Sequence, residues 1–214
     1  MPADATTSAT PASPAPRGDR GRKIRALLAA GLVLGVGATV TLAAWNDSEY
    51  AGGSFGAGSF NLQGSTDGTS YSDHASAGGA ATLGFTVNPT NLAPGDTVYA
   101  PFAVRLAAGT TTGASVALQG VTNTGTVTNL SYTVVRTTSI TCNAAAVTGG
   151  TALVPAGTAM SSIGTPSPFT LAKGADASTA GAPQYLCFAV TAGANLVQGQ
   201  TGTATWQFQA TSTS

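Results

Sequence analysis

From residue 45 onward, apolar side chains recur at every second position in short runs, and no stretch sustains the 3.6-residue spacing of a helix. Val98, Ala100, Phe102, Val104 and Leu106 fall on one side of the longest such run, with Thr97, Tyr99 and Arg105 on the other. Shorter runs arrange Leu83, Phe85 and Val87, then Val116 and Leu118, then Leu130, Tyr132 and Val134 in the same way. Near the end Leu186, Phe188 and Val190 alternate, as do Ala204, Trp206 and Phe208. Successive side chains of a strand point to opposite faces, so a period of two predicts strands half buried against a core. Gly, Asn, Pro and Thr clusters separate the runs. The expected fold class is therefore all-β, a sandwich or a barrel.

The punctuation is equally specific. Pro94-Gly95, within Leu92-Ala-Pro-Gly-Asp96, suits a type II turn, because proline fixes φ and glycine accepts a positive one. Thr148-Gly-Gly-Thr151 is expected to close a loop through the same freedom of glycine. Pro101 interrupts the longest run, so that strand is expected to lie at an edge or to carry a bulge. The first strand is expected at 59–62.

A different composition precedes this region. Residues 1–16 are almost entirely Ala, Pro, Ser and Thr, too polar and too small to offset the entropy of ordering them. Arg17, Arg20, Arg22, Lys23 and Arg25 follow, and then 26–44 carry no charge. A basic stretch, an apolar run and small residues at its exit are the pattern of an export signal. The division expected is thus 1–25 as a disordered extension and basic n-region, 26–44 as a helical signal segment, and 45–214 as the secreted domain. The alternative is a permanent anchor, since about 20 apolar residues span a bilayer. Gly31, Gly35, Gly37, Thr39 and Thr41 dilute the run, and no basic stop-transfer cluster follows it. Arg22-Lys23 lacks the surroundings of a twin-arginine signal, and the run lacks the glutamate of a pilin leader.

Charge excludes whole classes of function. Only 7% of the residues are charged, against about 25% in an ordinary soluble domain. Past residue 45, six carboxylates face Arg105, Arg136 and Lys173, a net charge of −3. A surface that tracks nucleic-acid phosphates has too few cations to be built from. One histidine and two cysteines leave little for metal sites or for histidine-dependent catalysis, and neither a cofactor nor an enzymatic role is expected. An exported chain meets an oxidising environment, so Cys142 and Cys187 are expected to pair in a disulfide, the alternative being two buried thiols.

Two local patterns have a chemical and a plain reading. Gly52-Gly-Ser54-Phe-Gly56 matches the letters of a nucleophile elbow, with Asp67 or Asp73 and then His74 following in hydrolase order. That motif needs a strand, a sharp turn and a helix, whereas these residues sit in a glycine-rich segment. Chance explains the match. Asp67, Asp73 and His74 could be offered as a metal cluster, but a solvated loop is the better account. Asn46-Asp-Ser48 and Asn129-Leu-Ser131 are glycosylation sequons, informative only in a eukaryotic secretory pathway.

The segment Leu42-Ala-Ala-Trp-Asn-Asp47, followed by Ser54-Phe-Gly-Ala-Gly-Ser-Phe-Asn-Leu62, resembles the junction and mature start of proteins exported through a SipW-type signal peptidase, the TasA and camelysin family. Asn88-Pro-Thr-Asn-Leu-Ala-Pro-Gly-Asp96, leading into the run through Phe102 to Leu106, is similar to a turn and strand of the same family. Tyr185-Leu-Cys-Phe188, Gln198-Gly-Gln200 and Trp206-Gln-Phe208 look like its actinobacterial branch. The long extension before Arg17 and the cysteine pair depart from TasA. The resemblance implies an antiparallel jelly-roll-like β-sandwich, secreted to the cell surface or biofilm matrix. It also implies cleavage by the peptidase at Ala43, Ala44 and Trp45, and self-association into fibres, with cell-wall or matrix components as further partners. In such fibres the N-terminal strand of one subunit completes the sheet of the next, which here assigns Trp45, Tyr50 and Phe55 to a donor strand. The membrane is a partner only through the uncleaved signal segment. The alternative function is a monomeric surface-binding or adhesion module, with a frayed N-terminus in place of a donor. Camelysin was described as a protease, and no catalytic constellation is available here to inherit. N-terminal sequencing of exported protein is expected to begin at Ala44 or Trp45; a terminus still carrying Arg17–Arg25 overturns the leader reading.

Overall fold

The computed structural model describes residues 20–21, 23–28, 30, 48–86 and 89–213. Contacts divide the chain between Ser54 and Phe55, and each unit is described by itself. Residues 20, 21, 23–28 and 30 are helical and exposed. The expected cleavage junction at Ala43, Ala44 and Trp45 lies outside the described residues, as does most of the uncharged run. Among the described residues no helix is long and apolar enough to cross a membrane.

The second unit is mostly strand. In chain order it holds β1 (Leu62–Ser65), β2 (Thr97–Leu106), β3 (Gly113–Gly125), β4 (Leu130–Thr137), a short helix α1 (Ala144–Gly149), β5 (Thr151–Ala159), β6 (Phe169–Leu171), β7 (Gln184–Ala192) and β8 (Gly202–Thr213). A single turn of 3-10 helix, Ala77–Gly79, precedes β2. The strands form a five-stranded sheet in the order β1-β2-β7-β4-β5 and a three-stranded sheet in the order β6-β3-β8. Every ladder is antiparallel.

The two sheets share one core, a sandwich-like arrangement. Val98, Ala100, Val104 and Leu106 of β2 bury the face that their alternation predicts, as do Tyr132 and Val134 of β4 and Leu186, Phe188 and Val190 of β7. From the smaller sheet come Ala114, Val116 and Leu118, Phe169 and Leu171, with Trp206, Phe208 and Ala210 packed against them. The aromatic side chains link the sheets directly. Trp206 lies between Phe188, at 5.0 Å, and Tyr132, at 5.6 Å, with both rings tilted. Phe208 meets Phe188 edge-on at 6.1 Å and stacks near Phe102. Tilted and edge-on pairs are the geometries that ring quadrupoles favour, worth about 0.5–1.5 kcal/mol each beyond the area buried.

β3 reaches this core by changing step. Its inward residues are even-numbered up to Leu118, and the register then shifts by one across Gln119, so that Gly120 faces Gln207 and Val121 faces Trp206. A bulge adds one residue to one strand and reverses which side chains face in. Val121 is thereby packed on the core, and Asn123 donates from Nδ2 to the Met160 carbonyl at 2.9 Å.

Several expectations need correction. The strand containing Pro101 is neither a sheet edge nor bulged: β2 pairs with β7 throughout and with β1 along Ala103–Leu106. Proline is tolerated because β1 stops short of it. Tyr99 turns its N–H and C=O toward Thr86, away from β7, and by the period of two the Pro101 nitrogen faces that same uncovered margin. The first strand begins at Leu62 rather than Ser59, which makes only an isolated bridge to Thr110. Leu83 and Phe85 pack against the core, yet 81–85 form no strand, so their alternation reflects burial without a ladder. The turn at Pro94-Gly95 is as expected, with Gly95 at φ 91° and the Asp96 N–H bonded to the Ala93 carbonyl at 3.0 Å. Thr148-Gly-Gly-Thr151 is different. Gly150 has φ −82°, and it must be glycine because a Cβ would come within 2.9 Å of both Val135 and the Ala146 carbonyl.

Cys142 and Cys187 form a disulfide, with Cα atoms 5.1 Å apart and a sequence separation of 45. It fastens the segment 138–150, with α1, over the outer face of the larger sheet. Ala103, Val135, Cys187 and Ala189 point away from the shared core and are nevertheless buried. α1 packs on β4 and β7, and Asn143 caps it by accepting from the Ala146 N–H at 2.9 Å. Replacing both cysteines by alanine is expected to lower the unfolding free energy by roughly 3–4 kcal/mol in the chain-entropy account. Denaturant titration of the secreted protein, with and without reductant, measures this; equal midpoints would show that the bridge contributes nothing.

Candidate functional site

Four strands end the two sheets, and three of those edges are closed. The outer side of β1 is bridged by Ser72, whose N–H and C=O each bond Gly64 at 3.0 Å. β5 carries Pro155, a glycine at φ 76° (Gly157) and two register shifts against β4. β6 is only three residues long. These are the ordinary devices that keep sheet edges from pairing with other chains.

β8 has none of them. It runs for twelve residues, GTATWQFQATST, without a charge or a proline. The side of its backbone that stays free follows from one bond. The Thr126 N–H donates to the Thr201 carbonyl at 2.9 Å, and the two residues continue the β3–β8 register one step past its last pair, Gly125 and Gly202. Antiparallel pairs alternate between those that exchange backbone bonds and those that do not. Thr203 and Thr205, and the odd-numbered residues after them, therefore bond to β3. The bulge lies on β3, so the alternation along β8 is unbroken. Ala204, Trp206, Phe208, Ala210 and Ser212 turn their N–H and C=O groups to the open side. Among the described residues, no loop bonds to any of them. The side chains of Ala204, Trp206, Phe208 and Ala210 pack on the core, while Thr203, Gln207, Gln209, Thr211, Ser212 and Thr213 are exposed.

Residues 48–58 form neither strand nor helix, and Tyr50 and Phe55 are 92% and 98% exposed. Trp45, the third residue assigned to a donor strand, lies outside the described residues. An aromatic ring left fully in water forgoes the burial that normally decides where it sits, about 25 cal/mol per Å² of apolar surface.

The residues singled out as hydrolase or metal candidates are not brought together. Ser54 lies in the unpaired segment. Asp73 accepts from Asn61 Nδ2 at 3.0 Å, and His74 Nε2 is 3.3 Å from the Ser72 hydroxyl. Asp67 closes its own loop, with one carboxylate oxygen accepting from the Ser70 and Thr69 N–H groups at 2.7 Å and from the Ser65 hydroxyl at 2.8 Å. These bonds hold its carboxyl well below the usual carboxylate range, the Ser70 and Thr69 amides contributing most. Among the described residues no group of three His, Cys, Asp or Glu side chains could hold a metal ion. Asn129, the sequon asparagine, has φ 64° and donates from Nδ2 to the Asn195 carbonyl at 2.8 Å, so its amide already serves a tight turn.

No known family model matches the chain, and no curated protein is significantly similar to it in sequence.

The Asp67 loop leads from β1 to the Ser72 bridge and so helps to close that edge. A carboxyl with a depressed native pKa stabilises the fold fully above its unfolded pKa and loses that effect as pH falls through the native one. The melting-temperature difference between wild type and Asp67→Ala is thus expected to be full at neutral pH. It should shrink only below the ordinary carboxylate range. A difference that does not vary with pH would exclude the ionised carboxylate as its source.

Proposed function

We propose that the chain is an exported structural protein of the cell surface or biofilm matrix, a TasA-like subunit that assembles into fibres by β-strand addition. The observation that carries this reading is the uncovered, uncharged edge of β8 in a molecule whose other sheet edges are closed. Such an edge is a liability in a solitary domain and an attachment site in a polymer. Ladder bonds along Ala204 to Ser212 would supply affinity, and alternate side chains of an added strand would set specificity. The donor is the segment around Trp45, Tyr50 and Phe55 of a second copy. Of its aromatics, Tyr50 and Phe55 are exposed in a stretch that forms neither strand nor helix, and Gly52-Gly53 provides a flexible joint.

The rest of the proposal fits this role. A signal segment at 26–44, cut by a SipW-type peptidase near Ala44, would hold the donor at the membrane until export and release it afterwards. The disulfide suits an oxidising compartment. The fold is proposed to be a jelly roll: the chain passes between the sheets at β2–β3, β3–β4, β5–β6, β6–β7 and β7–β8, and β7 returns between β2 and β4. The hairpin of β4 and β5 within one sheet departs from a full roll. Cell-wall or matrix components are the further partners proposed.

Two variants test the assembly. Ala210→Pro removes an N–H that faces the open side and so breaks no bond to β3, while deletion of 45–53 removes two of the three donor aromatics, Trp45 and Tyr50. Electron microscopy and size-exclusion chromatography are expected to show fibres from the wild type. Both variants should give folded monomers, with assembly reduced by about tenfold or more for each lost set of ladder bonds. Wild-type protein that stays monomeric, or fibres unaffected by both changes, defeats the reading.

A further inference from the structure

The connection from β1 to β2, residues 66–96, holds no strand among its described residues and a single turn of 3-10 helix, a length that is unusual for a passive link. Within it, Leu83 and Phe85 pack on the core while Thr82, Gly84 and Thr86 are exposed, the alternation of a strand. Ala81 and Thr82 share a pocket with Gly64 and His74. At the other end Thr86 donates its N–H to the Tyr99 carbonyl at 2.8 Å, and its hydroxyl accepts from the Tyr99 N–H at 3.3 Å. The stretch 81–86 thus follows the margin of β2 from the point where β1 stops. It makes no ladder there, since Pro101 has no N–H to donate, and among the described residues no backbone bond reaches 81–85.

β8 borders the same opening. Phe208 lies over Phe102 of β2 and Phe188 of β7, whereas β3 lies toward β5, with Asn123 bonded to the Met160 carbonyl. The free side of β8 therefore turns toward the margin that 81–86 follows. From this we infer that 81–86 is a gate on the β8 edge. Its Leu83 and Phe85 side chains fill the space between the sheets into which a strand added to β8 must send its own inward side chains, so the donor has to displace them. The inference rests on strand addition at β8 and concerns what controls it. Two partly buried side chains and the bonds of one residue hold the gate, and segments with so few ties are the ones that open locally. A donor that binds only the open form binds more weakly by the fraction of the time that the gate stands open. Such a gate turns away strands with small side chains and favours one whose aromatic rings can replace Leu83 and Phe85.

A bridge between the two bonded residues tests this. Thr86→Cys with Tyr99→Cys, made in the secreted chain and oxidised, ties the gate to β2; peptide mass spectrometry verifies the pairing, and the two single variants, alkylated, are unbridged controls. The probe is a labelled peptide of residues 45–58, titrated by fluorescence anisotropy into each protein at concentrations too low for assembly. The bridged protein is expected to bind it at least about tenfold more weakly than the controls, the loss that follows when the open form is nearly abolished. Thr86→Pro, which removes the N–H that holds the gate, should bind it more tightly than wild type and shorten the lag before fibres appear. Melting temperatures no lower than those of the controls separate a closed gate from a damaged fold. Equal binding by the bridged protein and the controls, with wild type still forming fibres, overturns the gate and leaves the fibre reading standing. A peptide that binds none of the proteins, Thr86→Pro included, overturns both.

Discussion

The contact of Trp206 with Phe188 and Tyr132 holds the smaller sheet to the larger one. β8 has a single ladder neighbour, so its attachment rests on its bonds to β3 and on the apolar side chains that it sends inward. Those same inward residues turn their backbone groups to the open side. Core packing and edge chemistry are therefore carried by one set of residues, Ala204, Trp206, Phe208 and Ala210. A charge placed there to protect the edge would be forced into the core, whereas a charge on the solvent-facing Thr and Gln positions would leave the open backbone groups where they are. The edge can be blocked at the backbone more easily than through side chains.

Much of this was legible in the sequence, and the parts that were not fail for identifiable reasons. Period-two alternation located β2, β4, β7 and β8 and their buried faces, because a half-buried strand imposes that spacing on side chains. It misplaced a strand at Leu83 and Phe85, since alternation records burial and not a hydrogen-bonded neighbour. β5 and α1 were missed. β5 holds Pro155 and two register shifts, and α1 is too short to display a helical period. Pro101 was assigned to an edge or a bulge on a sound rule, but the rule concerns one residue's margin, and β1 is short enough to leave that margin bare.

The candidate site was legible in pieces. Exposed aromatics at Tyr50 and Phe55 are visible as a glycine-rich stretch with isolated rings, and the lack of charge and proline across 202–213 is plain. What the sequence does not carry is sheet order, which depends on contacts between distant segments and decides that β8 has a free side. The disulfide could be anticipated from the count of cysteines, yet its place on the outer face of the sheet, away from the shared core, could not.

The bulge at Gln119 shapes more than the inside of β3. Bulges increase the right-handed twist of the strand pair that contains them, and β8 is paired to β3 on both sides of this one. Its free margin is accordingly a coiled track. A strand laid along it would inherit that rotation and pass it to the next subunit, so repeated addition would wind about an axis. The shape of an assembly built on this edge would then be a helical filament with a set hand, and its pitch would be governed in part by one extra residue in a strand that never touches the neighbour.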